Sequence, residues 1–440
     1  MQYLSNILFA LALIAGIGYF TYNIRKVIRN IKLGRAVDAS DHKKERIGNV
    51  VRIALGQSKM VVRPFSGILH IIVYVGFIVI NLEVLEIIID GLFGTHRIFA
   101  SLGGLYDFLI ATFEILALLV FVGVILFWTR RNVQKIKRFW SKEMTGWPKQ
   151  DANYILYFEM VLMLLFLTMN AADFQLQQLG AAHYTIAGSF PVSQYIAPLF
   201  ENFSEATLIL IERGAWWLHI LGILVFLNYL YYSKHLHIML AFPNVYFGRV
   251  TPKGQFKNNE AVTKEVQMMM DPNVDPFAAP PEGAEAPAKF GASDVMDLSQ
   301  VQLLNAYTCT ECGRCTDECP ANQTGKKLSP RKIMMDTRDR LHEVGKNIEK
   351  NGEFKPDDKQ LLGDYITHEE LWACTTCNAC VEACPVSIDP LSIIMDMRQY
   401  LVMEQSAAPN ELNVTMTNIE NNGAPWPFNQ MDRLNWKSEN

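Results

Sequence analysis

The sequence is poor in charged residues and lacks the short motifs that mark several large classes of protein. Only 19% of its 440 residues are Asp, Glu, Lys or Arg, and half are hydrophobic. It contains no glycine-rich phosphate-binding motif, no nucleophile elbow and no stripe of basic and aromatic residues. These absences argue against a nucleotide-dependent enzyme, a serine hydrolase and a nucleic-acid-binding protein.

The hydrophobic residues are unevenly distributed along the chain. Residues 1–242 carry nearly all of the long apolar runs, whereas residues 251–440 are polar. The chain length predicts two to three domains. The net charge of −4 averages over these two different halves, so it says little about binding partners.

Cysteine is absent outside one stretch, and that stretch holds all eight cysteines in two runs. Each run has the spacing C-x₂-C-x₂-C-x₃-C and is followed by proline, which is the ligand pattern of a protein that binds two [4Fe–4S] clusters. The runs are Cys309, Cys312, Cys315 and Cys319 before Pro320, and Cys374, Cys377, Cys380 and Cys384 before Pro385. No cysteine is left over as a nucleophilic thiol.

In this pattern the fourth cysteine of each run reaches the other cluster. One cluster is therefore assigned Cys309, Cys312, Cys315 and Cys384, and the second is assigned Cys374, Cys377, Cys380 and Cys319. Disulfide bonds would require an oxidising compartment and would not explain two identical spacings. Zinc sites usually use two C-x₂-C pairs for each ion.

Five segments are apolar over roughly the 20 residues that a membrane-spanning helix requires. They cover about residues 4–22, 65–89, 105–128, 154–172 and 214–232. The first has no preceding basic residue and no small-residue cleavage site, so we expect a retained helix rather than a signal peptide. The predicted fold class is all-α: a five-helix transmembrane bundle (1–242), followed by a helical domain with two [4Fe–4S] clusters.

The charges of the connecting loops predict the orientation of the bundle. Eleven Lys and Arg residues lie between spans one and two and seven between spans three and four, whereas Arg97 is alone in the second connection and the fourth has none. Basic loops stay in the cytoplasm. We therefore expect an inner (cytoplasmic) membrane protein with its N-terminus outside and its cysteines in the reducing cytoplasm.

Four histidines lie in or next to the spans, where a metal-ligating side chain is a functional candidate. His70 lies roughly 8 Å into span two from its cytoplasmic end, and His235 and His237 lie at the cytoplasmic end of span five. His219 lies roughly 27 Å above His237. Because a haem b needs two ligands at similar depth, the sequence predicts one haem held by His70 and His237, with His235 as the other choice.

Two alternatives stay open for these histidines. His235 and His237 could be interfacial side chains and His70 a hydrogen-bonded core residue. His219 has no histidine partner, because span two offers only Asn81, Glu83 and Glu86 at its depth. His219 could form a hydrogen bond within the bundle or line a quinone site.

The second half of the chain divides into three parts. Residues 243–297 are rich in proline and alanine and predict an extended linker. Residues 298–405 predict the cluster domain, in which each cysteine run lies between a short helix and a longer one. The charged face of the helix at 328–345, with Arg331 and Arg340, is expected to be solvated. Residues 406–440 are polar with exposed-looking aromatics and predict either a partner-docking tail or a segment packed on its own domain.

Several motifs resemble those of known families. CTECGRCTDECP at 309–320, LSPRKIM at 328–334 and CTTCNACVEACP at 374–385 resemble the two-cluster subunit of heterodisulfide reductases, the one designated C. The tail stretch at 419–427 is similar to one in related iron–sulfur oxidoreductases. The membrane half, with His70, His219 and His237, resembles the gamma subunit of respiratory nitrate reductase. It also resembles the haem b membrane subunit of heterodisulfide reductases, the one designated E.

The resemblance implies cofactors and partners. It maps an inner haem onto His70 and His237 and one outer-haem ligand onto His219, but the second outer ligand falls near Ile80, which cannot bind iron. It implies a quinone substrate, menaquinone, and a partner with cysteine-rich CCG domains or a flavin. The chain has no CCG pair, so that catalytic part is expected on another chain.

These observations predict a membrane-bound respiratory electron-transfer subunit, part of a quinone-linked iron–sulfur oxidoreductase. It would pass electrons between the menaquinone pool, haem b, two [4Fe–4S] clusters and a cytoplasmic redox partner. The alternative is a non-enzymatic iron–sulfur protein that senses redox state or anchors a partner to the membrane.

Overall fold

The computed structural model describes residues 3–252, 254–256, 258, 260–273 and 289–438. Within these residues the fold is helical and contains no β-strand, only isolated backbone bridges. The predicted all-α class is therefore confirmed.

Five helices are long and apolar enough to cross a membrane, as predicted. They are α1 (Leu4–Ile31), α2 (Pro64–Phe93), α3 (Gly104–Asn132), α4 (Trp147–Gln178) and α5 (Glu205–Tyr229). Each is longer than its apolar run, because hydropathy marks the bilayer-deep part while polar residues continue the helix beyond it. Prolines in the first turn start α2 and α4, and Gly94 ends α2 with φ 73°.

The five helices pack as a closed bundle. Helix α1 contacts α2 and α5, α3 lies between α2 and α4, and α4 packs along α5. Phe9, Phe113, Phe166 and Trp216 fill its interior. Large apolar side chains cover its outer surface, among them Ile14 at 70% exposure, as a lipid-facing surface requires.

The cysteine module lies at one end of the bundle, here the module end; the opposite end is the far end. Its longer helices are α8 (Gln300–Thr308), α9 (Pro330–Asn351) and α10 (Pro390–Met403). Short helices Arg314–Asp317 and Ala379–Ala383 lie within the cysteine runs. The predicted order of short helix, cysteine run and longer helix is present twice.

The module shares a core with the bundle. Val27 of α1 and Phe226 of α5 belong to the same buried apolar cluster as Leu298 and Leu303. Asn30 donates to the hydroxyl of Tyr307 at 2.9 Å. The two halves therefore form one continuous packed unit.

Part of the predicted linker is helical. Helix α6 (His237–Phe247) continues into the predicted linker from residue 243, and α7 (Glu260–Met270) lies within it, so these residues are helical rather than extended. The side-chain amide of Asn244 donates to the Val386 carbonyl at 2.8 Å, so α6 is fixed onto the module. Residues 274–288, with most of the linker prolines, lie outside the described residues.

The charged face of α9 differs from expectation. Arg331 and Arg340 are fully buried rather than solvated. Arg331 pairs with Glu143 at 2.6 Å, and Arg340 pairs with Asp294 at 2.8 Å and with Asp357 at 2.6 Å. These ion pairs explain how the guanidinium groups tolerate burial.

The tail forms helix α11 (Asn410–Asn422) and a 3₁₀ helix, Gln430–Lys437. Its large apolar side chains, including Phe428 and Trp436, are exposed at 65% and 68%. Packing on its own domain therefore does not cover them, and the docking role stays a prediction.

Candidate functional site

The two cysteine runs have the same backbone conformation. In the first, Glu311 and Gly313 adopt left-handed φ values of 54° and 73°. The residues at the same places in the second, Thr376 and Asn378, have φ values of 55° and 61°. These turns bend the chain within each run, so that closely spaced cysteines can face one centre.

The structure brings the cysteines together in two sets. Cys384 and Cys380 of the second run line one pocket together with Cys309, Cys312 and Cys315 of the first, and the spacing pattern assigns Cys384 to the cluster of these three. Cys384 and those three are called the proximal set. Conversely, the thiol of Cys319 lies within electrostatic range of Cys374 and Cys380 in the second run. With Cys377 these form the distal set.

The thiols suit iron–sulfur ligation. All eight cysteines are free, and burial raises the pKa of Cys309 to about 12 and of Cys384 to about 11. Such thiols ionise when a metal takes the place of the proton. Backbone N–H groups of Ile388 and Thr376 lie 3.3 Å from Cys384 Sγ and 3.4 Å from Cys374 Sγ, and such hydrogen bonds tune cluster potentials.

The proximal set is joined to the bundle, and one cysteine of the distal set is exposed to solvent. Lys59, in the connection before α2, donates to the Cys384 carbonyl at 3.3 Å. Arg314 donates to the Lys59 carbonyl at 3.0 Å. Cys377 of the distal set is exposed.

Three of the predicted histidines meet at the module end of the bundle. His70 on α2 lies within electrostatic range of His237 and Arg314, and its Nδ1 is buried without a hydrogen-bond partner among the described residues. The rings of His235 and His237 are 5.4 Å apart between centroids. His237 Nδ1 lies 3.2 Å from the Lys234 carbonyl.

His219 is separate from this group. It is buried in α5, with Nδ1 3.0 Å from the Leu162 carbonyl of α4. Ile80, where the resemblance puts a second outer ligand, is a buried core residue. The structure therefore gives His219 a hydrogen bond within the bundle, which is one of the two roles considered for it.

A buried ion pair joins the histidines to the first cysteine run. Lys234, next to His235, pairs with Glu311, and Arg338 of α9 reaches the other oxygen of Glu311 at 2.7 Å. Burial opposes ionisation, but Arg338 and Lys234 together hold the pKa of Glu311 below its usual value. The sequence analysis did not identify the contacts of Glu311 with Lys234 and Arg338. The one indication in the sequence was that Lys234 lies next to the candidate ligand His235 at the end of span five.

Comparisons with known proteins agree with the cysteine module. Residues 308–388 match the family model of the 4Fe-4S dicluster domain. The chain is 29% identical to the "Probable iron-sulfur-binding oxidoreductase FadF" of Bacillus subtilis, over 98% of this chain and 61% of the relative. It is 27% identical to the "EtfAB:quinone oxidoreductase" of Syntrophomonas wolfei, over 92% of this chain and 55% of the relative.

A shorter match covers the module alone. Over 29% of this chain and 66% of the relative, the sequence is 29% identical to the subunit designated C of the "Ferredoxin/F(420)H(2)-dependent CoB-CoM heterodisulfide reductase" of Methanosarcina acetivorans. The predicted resemblance to that subunit is thus confirmed, whereas a haem b membrane domain stays a prediction. No solved structure matches the chain.

The chain spans 61% and 55% of the length of the two relatives that match it along most of its own length. By name, these relatives are oxidoreductases or a subunit of one, and the relative from Bacillus subtilis is iron–sulfur-binding. The similarities therefore support electron transfer through iron–sulfur clusters held by a membrane-anchored helical protein.

Proposed function

We propose that the chain is the membrane-bound electron-transfer subunit of a quinone-linked iron–sulfur oxidoreductase. It connects the menaquinone pool, through haem b and two [4Fe–4S] clusters, with a cytoplasmic redox partner. The observation that carries the proposal is the buried pairing of Lys234 with Glu311. It holds the segment of His235 and His237 directly against the loop of the proximal set.

The histidine group fits a haem. His70 offers a buried ring nitrogen that has no hydrogen-bond partner in the described part of the chain. His237, on another helix, orients its Nδ1 toward a backbone carbonyl, which leaves Nε2 as the ligand nitrogen. His235 lies 3.8 Å from Glu159, so His237 is the better second ligand. A haem bound there would exchange single electrons with quinol and with the proximal cluster.

The distal set suits the exchange of electrons with a soluble protein, because Cys377 is exposed. The name of one relative pairs EtfAB with quinone. We therefore propose an electron-transfer flavoprotein as the partner, with a separate CCG-type iron–sulfur subunit as the other candidate. The loop charges support an inner-membrane location with the module in the cytoplasm.

The test is a spectrum of the full chain purified in detergent. We expect a dithionite-reduced haem b band that is partly reoxidised by a menaquinone analogue, together with about eight non-haem irons per chain. Clusters without a haem band would contradict the quinone-linked function and favour a membrane anchor. Zinc in place of iron would contradict both.

A further inference from the structure

The far end of the bundle contains a group of buried charged side chains that the proposed function does not use. Four carboxyl groups and one guanidinium are each at most 7% exposed. They come from α2, α3, α4 and the connection between α2 and α3. This far-end carboxyl network consists of Glu83, Glu86, Glu114, Asp173 and Arg97.

Glu114 has a structural role. One of its oxygens accepts the backbone N–H groups of Val192 and Ser193 at 2.9 and 3.1 Å. The other accepts from the Asn170 amide at 3.2 Å. Glu114 therefore fastens the connection between α4 and α5 over the end of the bundle.

Glu86 and Asp173 are also fully engaged. Glu86 accepts the N–H of Phe99 and the hydroxyl of Tyr106, both at 2.9 Å. Asp173 accepts from Arg97 Nε at 2.5 Å. Both carboxyl groups hold the α2–α3 connection in place through these bonds.

Glu83 differs from the other three. It is 3% exposed, and its Oε2 is buried without a hydrogen-bond partner among the described residues. It lies ten residues from the end of α2 at Phe93, or about 15 Å into the bundle. Glu114 lies at the same depth in α3, so Glu83 is among the innermost members of the network.

The charges of the network do not balance. Four ionised carboxylates beside one guanidinium would leave an excess of negative charge in a water-poor interior, and buried carboxyl groups take up protons under such conditions. The charged groups that act on Glu83 are Glu86 on its own helix and Arg97, Glu114 and Asp173 on the surrounding elements. Within the described ranges, Glu83 is the member whose Oε2 accepts no hydrogen bond, and it fastens no backbone N–H group there.

We propose that Glu83 is a proton-exchange site: it is a carboxylic acid at neutral pH and takes up or releases one proton through the far end. His96 supplies a connection toward the surface. Its Nε2 lies 3.7 Å from Asp173 Oδ1, and its side chain is 16% exposed. The exchange is an acid–base step without electron transfer, so it stands independently of the haem and quinone assignments.

Infrared spectroscopy of the full chain in lipid nanodiscs tests this. We expect the wild type to show a protonated-carboxyl C=O band at neutral pH that shifts in D₂O. Glu83→Gln should remove this band, and Glu83→Asp should move it. The exposed Glu201 gives the matched control: Glu201→Gln should leave the band unchanged. Glu159→Gln removes the carboxyl group beside His235 and so measures how much that group contributes to the band.

Two outcomes would overturn the proposal. One is a wild type without a protonated-carboxyl band at neutral pH, a result that needs no variant to fold. The other is a band that keeps its full amplitude in Glu83→Gln. A melting temperature much lower in Glu83→Gln than in Glu201→Gln would likewise show that an ionised Glu83 balances Arg97, and would also overturn it.

Discussion

The first prediction concerns haem ligation by the histidines at the module end. His70→Ala removes the imidazole whose Nδ1 has no hydrogen-bond partner among the residues that the structure covers, so it should abolish the haem b band and leave the cluster absorbance intact. His183→Ala, at an exposed position in the α4–α5 connection, should change neither. Reduced-minus-oxidised spectra and iron counts on purified variants measure both. Haem retained at wild-type level in His70→Ala would refute this ligand.

The crossed ligation gives a second prediction. Cys384 and Cys380 of the second run both line the pocket of Cys309, Cys312 and Cys315, and the spacing pattern assigns Cys384 to the proximal cluster. Cys384→Ser should therefore damage the proximal cluster and spare the distal one, and Cys319→Ser should do the opposite. Electron paramagnetic resonance of the reduced variants distinguishes the two clusters. If Cys384→Ser instead spared the proximal cluster, the ligands would not cross.

Candidate ligands could be proposed from the sequence more readily than their surroundings. Cysteine spacing is a local property, and the His70 and His237 depths follow from helical rise alone. Glu311 and Arg331 could not be recognised, because their partners Lys234 and Glu143 are distant in sequence. A charged residue on a helix looks solvated until a tertiary partner is known.

At the scale of elements, one ion pair fastens the α3–α4 connection to α9. Arg331 is fully buried, and its partner Glu143 is 13% exposed. Glu143→Gln leaves this guanidinium without its anion, which should cost about 3–5 kcal/mol of stability. Glu318→Gln, at an exposed pair with Arg63, should cost at most about 1 kcal/mol. Chemical unfolding monitored by module fluorescence measures both.

The same pair predicts a pH dependence. Although burial opposes it, Arg331 lowers the pKa of Glu143. The stability from this pair is therefore fully present above the usual Glu pKa and is lost as the pH falls through the lowered value. The wild type should lose its advantage over Glu143→Gln in that acidic window. A stability difference that stayed constant across the window would contradict the assigned charge state.

The existence of the five spans could be predicted because a bilayer demands long apolar runs. The ends of α1 and α4 could not, since polar residues such as Arg and Lys in α1 and Gln in α4 continue a helix well. Helix α6 was missed because Pro243 lies inside it and proline opposes helix in isolation. Its contacts with the module, such as that of Asn244 with Val386, outweigh this local preference.

For the whole molecule, the position of the module on the bundle matters most. The core that contains Val27 and Phe226 also contains Leu298 and Leu303, so the proximal set is held at a fixed place rather than on a flexible tether. Electron transfer benefits from such fixed spacing between cofactors. The sequence predicted two domains but not how they pack against each other, because contacts such as that of Asn30 with Tyr307 join residues far apart in the chain.

The orientation of this unit in the membrane gives the last prediction. The native chain has cysteine only between residues 309 and 384, so labelling beyond that of the unsubstituted chain, in which Cys377 is exposed, reports an introduced cysteine. Ile186, in the α4–α5 connection, is 86% exposed. Because the basic connections should stay in the cytoplasm, Ile186→Cys should react with a membrane-impermeant maleimide in intact cells. Lys43→Cys, in the basic connection after α1, should react only in inside-out vesicles; the reverse labelling would invert the topology and put the cluster module outside the cell.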